Sequence, residues 1–314
     1  MAYEKERVSR RGFIEKSLLV SGAAAGLGLG GLPLPVSAKE DSAKADSGRP
    51  VANPPAQGLP TGTIGKLKIS RLICGGNPFA GFAHSRELIY VNALMQHYFT
   101  PERVMDTLQL CEENGVNATV MRCDEHIIGV INRYRKERGG KIQWIAQTYP
   151  TAADHLTNVK LAIDNGAAAV FPMGGVADTL VRTGHLDAIG KIIALVQQNG
   201  LAAGVASHSL DTPAIVEKNG LAPDFYFKTC NSVGYHSQEP QEIADFMQTI
   251  TRPWIAFKVL GAGVVKPQDG FSLALKMGAD FLTVGMCDFQ VKEDVKIVTD
   301  LLSGDLKRQR PWRA

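Results

Sequence analysis

The densest set of reactive side chains in the sequence is Arg122-Cys123-Asp124-Glu125-His126, a guanidinium, two carboxylates and an imidazole within five consecutive residues. Such a set offers a general acid or base. Joined by His208 and His236, it also offers carboxylate and imidazole ligands for a divalent metal. The same run reads as a helix start, with Asp124 as cap, Glu125 favouring the positive end and His126 facing solvent. No fixed metal-binding spacing of the HExxH kind accompanies it. Lys258 closes the apolar run Pro253-Trp254-Ile255-Ala256-Phe257. A lysine desolvated there has a lowered pKa and can form a Schiff base, polarise a carbonyl or hold a carboxylate. Paired with Asp124, Glu125 or Asp288 it is a salt bridge instead. Asp124, His126, His208 and Lys258 are thus the catalytic candidates. Asn77, Arg122, Gln147 and Asn231 are candidates for holding a polar substrate. Gly261-Ala262-Gly263 and Val284-Gly285-Met286 can present backbone N–H groups to an anion, which nominates Gly261, Gly263, Gly285 and Met286 as cofactor contacts. Loop geometry alone also explains the glycines.

These residues share one pocket only if a repeated architecture brings them together, and the sequence supplies one. Eight short apolar runs, at 71–74, 118–122, 142–147, 168–172, 202–207, 225–229, 254–258 and 281–285, alternate with amphipathic segments. Runs without polar alternation suit parallel strands covered on both faces. Eight such units predict an α/β fold, a (β/α)8 TIM barrel. Helices are expected at about 101–114, 126–138, 152–165, 184–199, 212–219, 239–250, 268–277 and 291–303. Prolines mark the first turn in Thr100-Pro101, Asp211-Thr212-Pro213 and Glu239-Pro240. Asn-Gly recurs at 114–115, 165–166, 199–200 and 219–220, each time between a helical period and a strand. That placement predicts a left-handed helix cap rather than a hairpin. Residues 61–70 form one extra piece, a β-hairpin around Gly65-Lys66 expected to close the barrel floor.

In a barrel of this kind the chemistry lies at the C-terminal strand ends. That rim carries Asn77 and His84, Arg122 to His126, Gln147 and Tyr149, Ser207 and His208, Lys228, Cys230, Asn231 and His236, Lys258, and Cys287 with Asp288. Strand parity turns Lys228 outward.

Composition narrows the partner. The 314 residues are 45% hydrophobic with a formal net charge of +3. Residues 1–38 hold five basic and three acidic residues, so the remainder is nearly neutral and offers no nucleic-acid surface or polybasic membrane patch. A small-molecule ligand is the expected partner. The five cysteines show no CxxC spacing and predict neither a disulfide framework nor a structural zinc site.

The N-terminus reads Ser9-Arg10-Arg11-Gly12-Phe13, then a glycine- and alanine-rich apolar stretch from 17 to 34, then Val36-Ser37-Ala38. It resembles a bacterial twin-arginine signal peptide with a small-x-small cleavage site. The resemblance implies export of folded cargo by the twin-arginine translocation machinery, a periplasmic or extracellular location and no stable membrane span. The expected organisation is a signal peptide over 1–38, a flexible linker over 39–58, the barrel over 59–303 and a C-terminal tail over 304–314.

Residues 67–79, Leu-Lys-Ile-Ser-Arg-Leu-Ile-Cys-Gly-Gly-Asn-Pro-Phe, follow the hairpin and resemble the opening of the aldo-keto reductase superfamily. Glu113-Asn114-Gly115-Val116-Asn117, Gly204 to Ser209, and Val284-Gly285-Met286 with Glu293-Asp294-Val295 continue the likeness. The resemblance implies the barrel and a nicotinamide dinucleotide whose phosphates lie near the last two strands. Its catalytic Asp, Tyr, Lys and His would fall on Val120 to Arg122, Glu125 to Gly129, Gln147 or Thr148, and Phe171 to Met173, and none matches. Ordinary carbonyl reduction then lacks its proton donor. The acidic residues Asp288, Glu293 and Asp294 do not suit a 2′-phosphate. The cofactor stays open between a nicotinamide dinucleotide and a divalent metal.

The reading is an exported aldo-keto-reductase-like barrel enzyme, oxidoreductase-like or a lyase or isomerase, acting on a small polar metabolite, carbohydrate-like by fold analogy. A metal-dependent isomerase or lyase and a non-catalytic binding barrel are the rivals.

Overall fold

The computed structural model describes residues 58–82 and 88–314. The expected signal peptide and most of the expected linker lie outside them, as does His84. Within them a hairpin, β1 (Thr61–Ile64) and β2 (Leu67–Ser70), precedes eight parallel strands. These are β3 (Leu72–Gly75), β4 (Ala118–Arg122), β5 (Gln143–Thr148), β6 (Ala169–Pro172), β7 (Ala202–Ser207), β8 (Phe225–Thr229), β9 (Trp254–Phe257) and β10 (Phe281–Gly285). They close in the order β10-β3-β4-β5-β6-β7-β8-β9. The chain is a (β/α)8 barrel, and the strand bounds lie within one or two residues of those read from the sequence.

Ten helices surround it among the described residues: α1 (Tyr90–Tyr98), α2 (Pro101–Glu113), α3 (Glu125–Arg138), α4 (Thr157–Asp164), α5 (Gly174–Arg182), α6 (Leu186–Gln198), α7 (Asp211–Lys218), α8 (Pro240–Thr249), α9 (Pro267–Met277) and α10 (Val291–Ser303). Two of them, α1 and α5, were not anticipated. No residue of α1 is buried, so no apolar stripe announces it. Helix α5 opens on Gly174-Gly175, a pair unfavourable in helices, and is set instead by packing on β7 and α7. Helix α4 begins at Thr157, since 151–156 form a polar turn. Asp211 is the first residue of α7.

The Asn-Gly repeats end α2, α4, α6 and α7 in one way. Each glycine has a positive φ, from 67° to 83°. The following N–H reaches back to the carbonyl five residues earlier, as in Val116 to Cys111 at 2.9 Å and Leu221 to Val216 at 3.1 Å. Each asparagine amide also donates to the carbonyl four residues before it at 2.8 or 2.9 Å. The asparagine and the left-handed glycine together satisfy the terminal carbonyls, which is why this dipeptide recurs before strands here.

Two layers of core follow from strand parity. Ile73, Ala118, Val120, Ile145, Phe171, Ala206, Phe227, Ile255 and Phe281 fill the barrel, and Ile64 and Ile69 of the hairpin join them from below. The alternate residues, among them Leu72, Trp144, Val205, Tyr226 and Leu282, pack outward against the helices. The tail does not trail away from the floor. Arg310 is fully buried, 2.7 Å from the buried Asp280, and donates to the carbonyls of Ile250 and Arg252 at 3.0 and 2.6 Å. Arg71 donates to Ala314 O at 2.7 Å and stacks on Trp312. Among the described residues no helix is long and apolar enough to cross a membrane.

Candidate functional site

The interior alternation runs on past the core and sets what faces the rim. After Ala118 and Val120 the next inward position on β4 is Arg122, after Ile145 on β5 come Gln147 and Tyr149, and after Ala202 and Ala206 on β7 comes His208. On β8, β9 and β10 the corresponding residues are Thr229, Phe257 and Gly285.

On the β4–β5 side Arg122 is held from three directions. Its Nε donates to Asp124 Oδ2 at 2.9 Å, and its guanidinium lies 4.5 Å from the ring centres of both Phe82 and Tyr149. Gln147 and Arg122 are register partners, and the Gln147 amide donates to the Tyr149 hydroxyl. Burial raises the Tyr149 pKa, so the phenol stays protonated as a donor. Among the described residues no protein acceptor takes the Nη1 and Nη2 hydrogens of Arg122. A planar cation fixed between two rings, its fork unused and its side chain a quarter exposed, is built to meet a two-oxygen anion.

On the β7–β9 side His208 is oriented by a residue from the unanticipated helix. Asp178 of α5 accepts the His208 backbone N–H at 2.8 Å, lies 3.4 Å from its Nδ1, and accepts the Thr212 hydroxyl at 2.7 Å. Burial works against the Asp178 carboxylate, but the bonds from His208 and Thr212 outweigh it and hold its pKa below the ordinary value. An imidazole whose Nδ1 is turned to a carboxylate keeps Nε2 for proton transfer. The His208 ring lies 5.5 Å from those of Phe257 and His236. Lys258 Nζ stands 5.1 Å from the Tyr235 ring centre, and burial lowers its pKa to about 8. Desolvation, then the Lys258 and His208 charges, push His236 down as well.

The backbone here is strained. His236, Lys258 and Ala262, at φ of 48°, 57° and 64°, are the non-glycine residues with positive φ among those described, and all three follow β8 or β9. Such conformations cost about 1–3 kcal/mol each and gather at functional sites. At Lys258 the left-handed turn breaks the strand alternation, which would otherwise aim residue 258 into the helix layer.

The structure therefore joins some of the sequence candidates and separates others. Arg122 and Gln147 meet on one side, His208 and Lys258 on the other. Asp124 spends Oδ1 on the Ile127 N–H at 3.0 Å and Oδ2 on Arg122, so it caps α3 and steadies the arginine. His126 is exposed on α3, and no side-chain hydrogen bond, ion pair or ring contact joins it to the other candidates among the described residues. Asn231 is fully buried and pins its own loop, accepting from Val233 and Tyr235 and donating to Tyr235 O. Asn77 is exposed beside the short helix Pro78–Ala80.

The proposed cofactor contacts fare similarly. The N–H groups of Gly261 and Gly263 donate within their turn, to Lys258 O and Leu260 O at 2.9 Å each. Met286 is fully buried in the outer core, the side opposite Gly285. Asp288 accepts from Tyr98 and Arg103 at 2.6 and 3.0 Å. This donor set does not fit a dinucleotide's phosphates. Nor do three or more His, Cys, Asp or Glu residues assemble around a metal position among the described residues.

Lys228 confirms its outward parity. It is fully buried behind the barrel, donating to His208 O at 2.8 Å and to Thr229 Oγ1 and Gln238 Oε1 at 2.9 Å, with burial lowering its pKa to about 8. Sequence reasoning also missed Asp178. It carries no readable signal, since it lies thirty residues from His208 on an unanticipated helix.

No protein-family model matches the chain, and no curated protein matches it. Among solved structures it is similar to a putative aldo-keto reductase from Pseudomonas aeruginosa, with a TM-score of 0.57 and 14% identity over 77% of this chain and 95% of that one. It is also similar to a truncated 3-deoxy-D-arabino-heptulosonate 7-phosphate synthase from Thermotoga maritima, with a TM-score of 0.51 and 9% identity over 78% and 92%. At these identities the likeness is one of fold.

Proposed function

We propose that this protein is an exported barrel enzyme that holds a small polar metabolite by its oxyanion on Arg122 and performs acid–base chemistry on it with His208. The observation that carries this reading is the Arg122 fork, fixed between Phe82 and Tyr149 and with no acceptor for its Nη hydrogens among the described residues. A carboxylate or phosphate accepts two parallel bonds from it. His208, oriented by Asp178, takes a proton from a carbon or hydroxyl of the bound molecule. Lys258, with a pKa of about 8, polarises a carbonyl or steadies the negative charge that develops. The Tyr149 phenol, beside Arg122, returns a proton. Proton transfer of this kind supports isomerisation or elimination. No step is routed through a nicotinamide or a metal: Gly261, Gly263 and Met286 are committed elsewhere, and the carboxylates and imidazoles do not assemble around a metal position among the described residues. The likeness of residues 9–38 to a twin-arginine leader supports the location outside the cytoplasm.

The test is isotope exchange with purified protein in D2O, using a panel of two- to six-carbon hydroxy and keto carboxylates and their phosphates, followed by proton NMR. Loss of a C–H signal in wild type, abolished by His208→Ala and with Arg122→Gln weakening binding by about 10- to 100-fold, is expected from charge-assisted bonds. Binding that depends on Arg122 without exchange on any panel member would leave a binding barrel and sink the catalytic part. Binding indifferent to Arg122→Gln would sink the whole reading.

A further inference from the structure

Across the mouth from Arg122 three basic side chains meet. In the closed order β10-β3-β4-β5-β6-β7-β8-β9, strands β4 and β8 lie four steps apart in either direction, so Arg122 and the loop after β8 stand on opposite sides. That loop carries His236, which is exposed and whose ring makes no hydrogen bond or ion pair among the described residues. The His236 ring lies 4.7 Å from that of Tyr235 and 5.5 Å from that of His208. Lys258, from the loop after β9, reaches the same Tyr235 ring at 5.1 Å. His236 and Lys258 both arrive there through left-handed backbone, at φ of 48° and 57°.

Burial lowers the His236 pKa, and the charges that add to the effect, Lys258 and His208, are both of its own sign. The Asp178 carboxylate beside His208 is engaged, one oxygen by the His208 N–H at 2.8 Å and the other by the Thr212 hydroxyl at 2.7 Å. Like charges gathered in one place repel, and an anion placed among them relieves the repulsion. The group is open to a ligand. His236 is exposed, and the His208 side chain retains 23% exposure, against 25% for Arg122.

Between the two sides the floor is aromatic. Half-buried Phe257 packs on Phe227, and Phe227 stacks on Phe171, with ring centres 4.5 and 4.7 Å apart. These rings offer no hydrogen-bonding group to the middle of a ligand, so its ends carry the recognition. Eight strands about 4.8 Å apart form a ring roughly 12–15 Å across its backbone, and the side chains reaching in from both sides leave room for a chain of roughly four to six carbons.

We propose that the barrel mouth takes a short-chain dianion, with one carboxylate or phosphate on Arg122 and a second on Lys258 and His236. The assignment rests on the oxyanion role of Arg122 and adds the group at the far end. The negative charge that Lys258 steadies then belongs to the ligand from the outset, and His208 beside it keeps Nε2 for proton transfer.

The experiment is calorimetric titration of the full protein with chain-matched pairs: succinate against butyrate, glutarate against pentanoate and adipate against hexanoate. A titration with 3-phosphonopropionate tells a phosphoryl second group from a carboxylate. Wild type is expected to bind the dianion of at least one pair about 10-fold tighter or more, the worth of one charge-assisted hydrogen bond. Binding of that dianion should raise the pKa of the His236 ring, followed by proton NMR, while the matched monoanion leaves it unchanged. Lys258→Met/His236→Gln should bring the dianion to the affinity of the monoanion, with circular dichroism and melting excluding unfolding as the cause. A preference that survives this double substitution overturns the assignment. If no dianion exceeds its monoanion while Arg122→Gln still weakens both, the far end is wrong and the Arg122 reading stands. If Arg122→Gln changes nothing, both fail.

Discussion

Asp294 in the first turn of α10 is 2% exposed and, among the described residues, receives no hydrogen bond from protein. Burial, with a smaller contribution from neighbouring Glu293, raises its pKa from the ordinary 3.8 to about 7. The folded protein therefore holds a proton that the unfolded chain has released over most of that interval. The sign follows. Folding is helped by this proton at pH 4, the help declines as pH rises, and above about 7 the folded protein carries a poorly solvated carboxylate. The gap is about three tenfold steps in proton affinity, each about 1.4 kcal/mol, or about 4 kcal/mol at full extent. Asp294→Asn should leave stability within about 1 kcal/mol at pH 4.5 and raise it by about 3–4 kcal/mol at pH 7.5. In a barrel of this size that is a rise in Tm of about 6–16 °C. Guanidinium unfolding of both proteins at pH 4.5, 5.5, 6.5 and 7.5 measures the difference and cancels every other titrating group. A difference that stays flat with pH, or an asparagine variant that loses stability at pH 7.5, would refute the assignment of an uncompensated carboxylate.

Three further outcomes are expected. Arg310→Met leaves Asp280 charged and buried and should cost about 3–5 kcal/mol by thermal unfolding, with Arg310→Met/Asp280→Leu recovering part of the loss. Gly75→Ala forces a methyl within 2.9 Å of the β10 backbone and should cost about 1–3 kcal/mol, while Gly129→Ala, with nothing within 4 Å, should be neutral or better in the same denaturation assay. Lys228, with a folded pKa of about 8 against an ordinary 10.5, contributes stability that is present above pH 10.5 and lost as pH falls through about 8. Stability of wild type relative to Lys228→Met should accordingly rise across that interval, and a flat difference would show that the amine is not desolvated.

The barrel was legible because its signals repeat. Eight apolar runs and four Asn-Gly caps each state the same unit, and a parallel strand covered on both faces leaves little else for such a run to be. The site was legible only in part. Strand parity extended to the rim places Arg122, Gln147 and His208 inward and separates Met286 from Gly285, since neighbours on a strand face opposite sides. Parity fails at Lys258, where a left-handed residue turns the chain, and no sequence signal marks that for a lysine. Asp124 and Asn231 read as reactive in isolation, yet both are consumed by local backbone groups, the ordinary fate of short polar side chains at helix starts and loops. The orienting role of Asp178 depends on two helices docking, which composition does not encode locally.

The tail beneath the barrel has a consequence for how the protein is made. Strand β3 must pair with β10, which leaves the ribosome about 200 residues later, and such distant pairing is slow. The buried Asp280 is then satisfied by Arg310 and by the Arg313 N–H, later still. A chain ending before residue 310 would lack both of these partners, leaving buried Asp280 with the Trp254 N–H at 2.9 Å and the more distant Arg308 at 3.9 Å. Arg310 and the Arg313 N–H follow every strand in the chain, so the buried charge at this seam gains its full set of partners only after all the strands have been made.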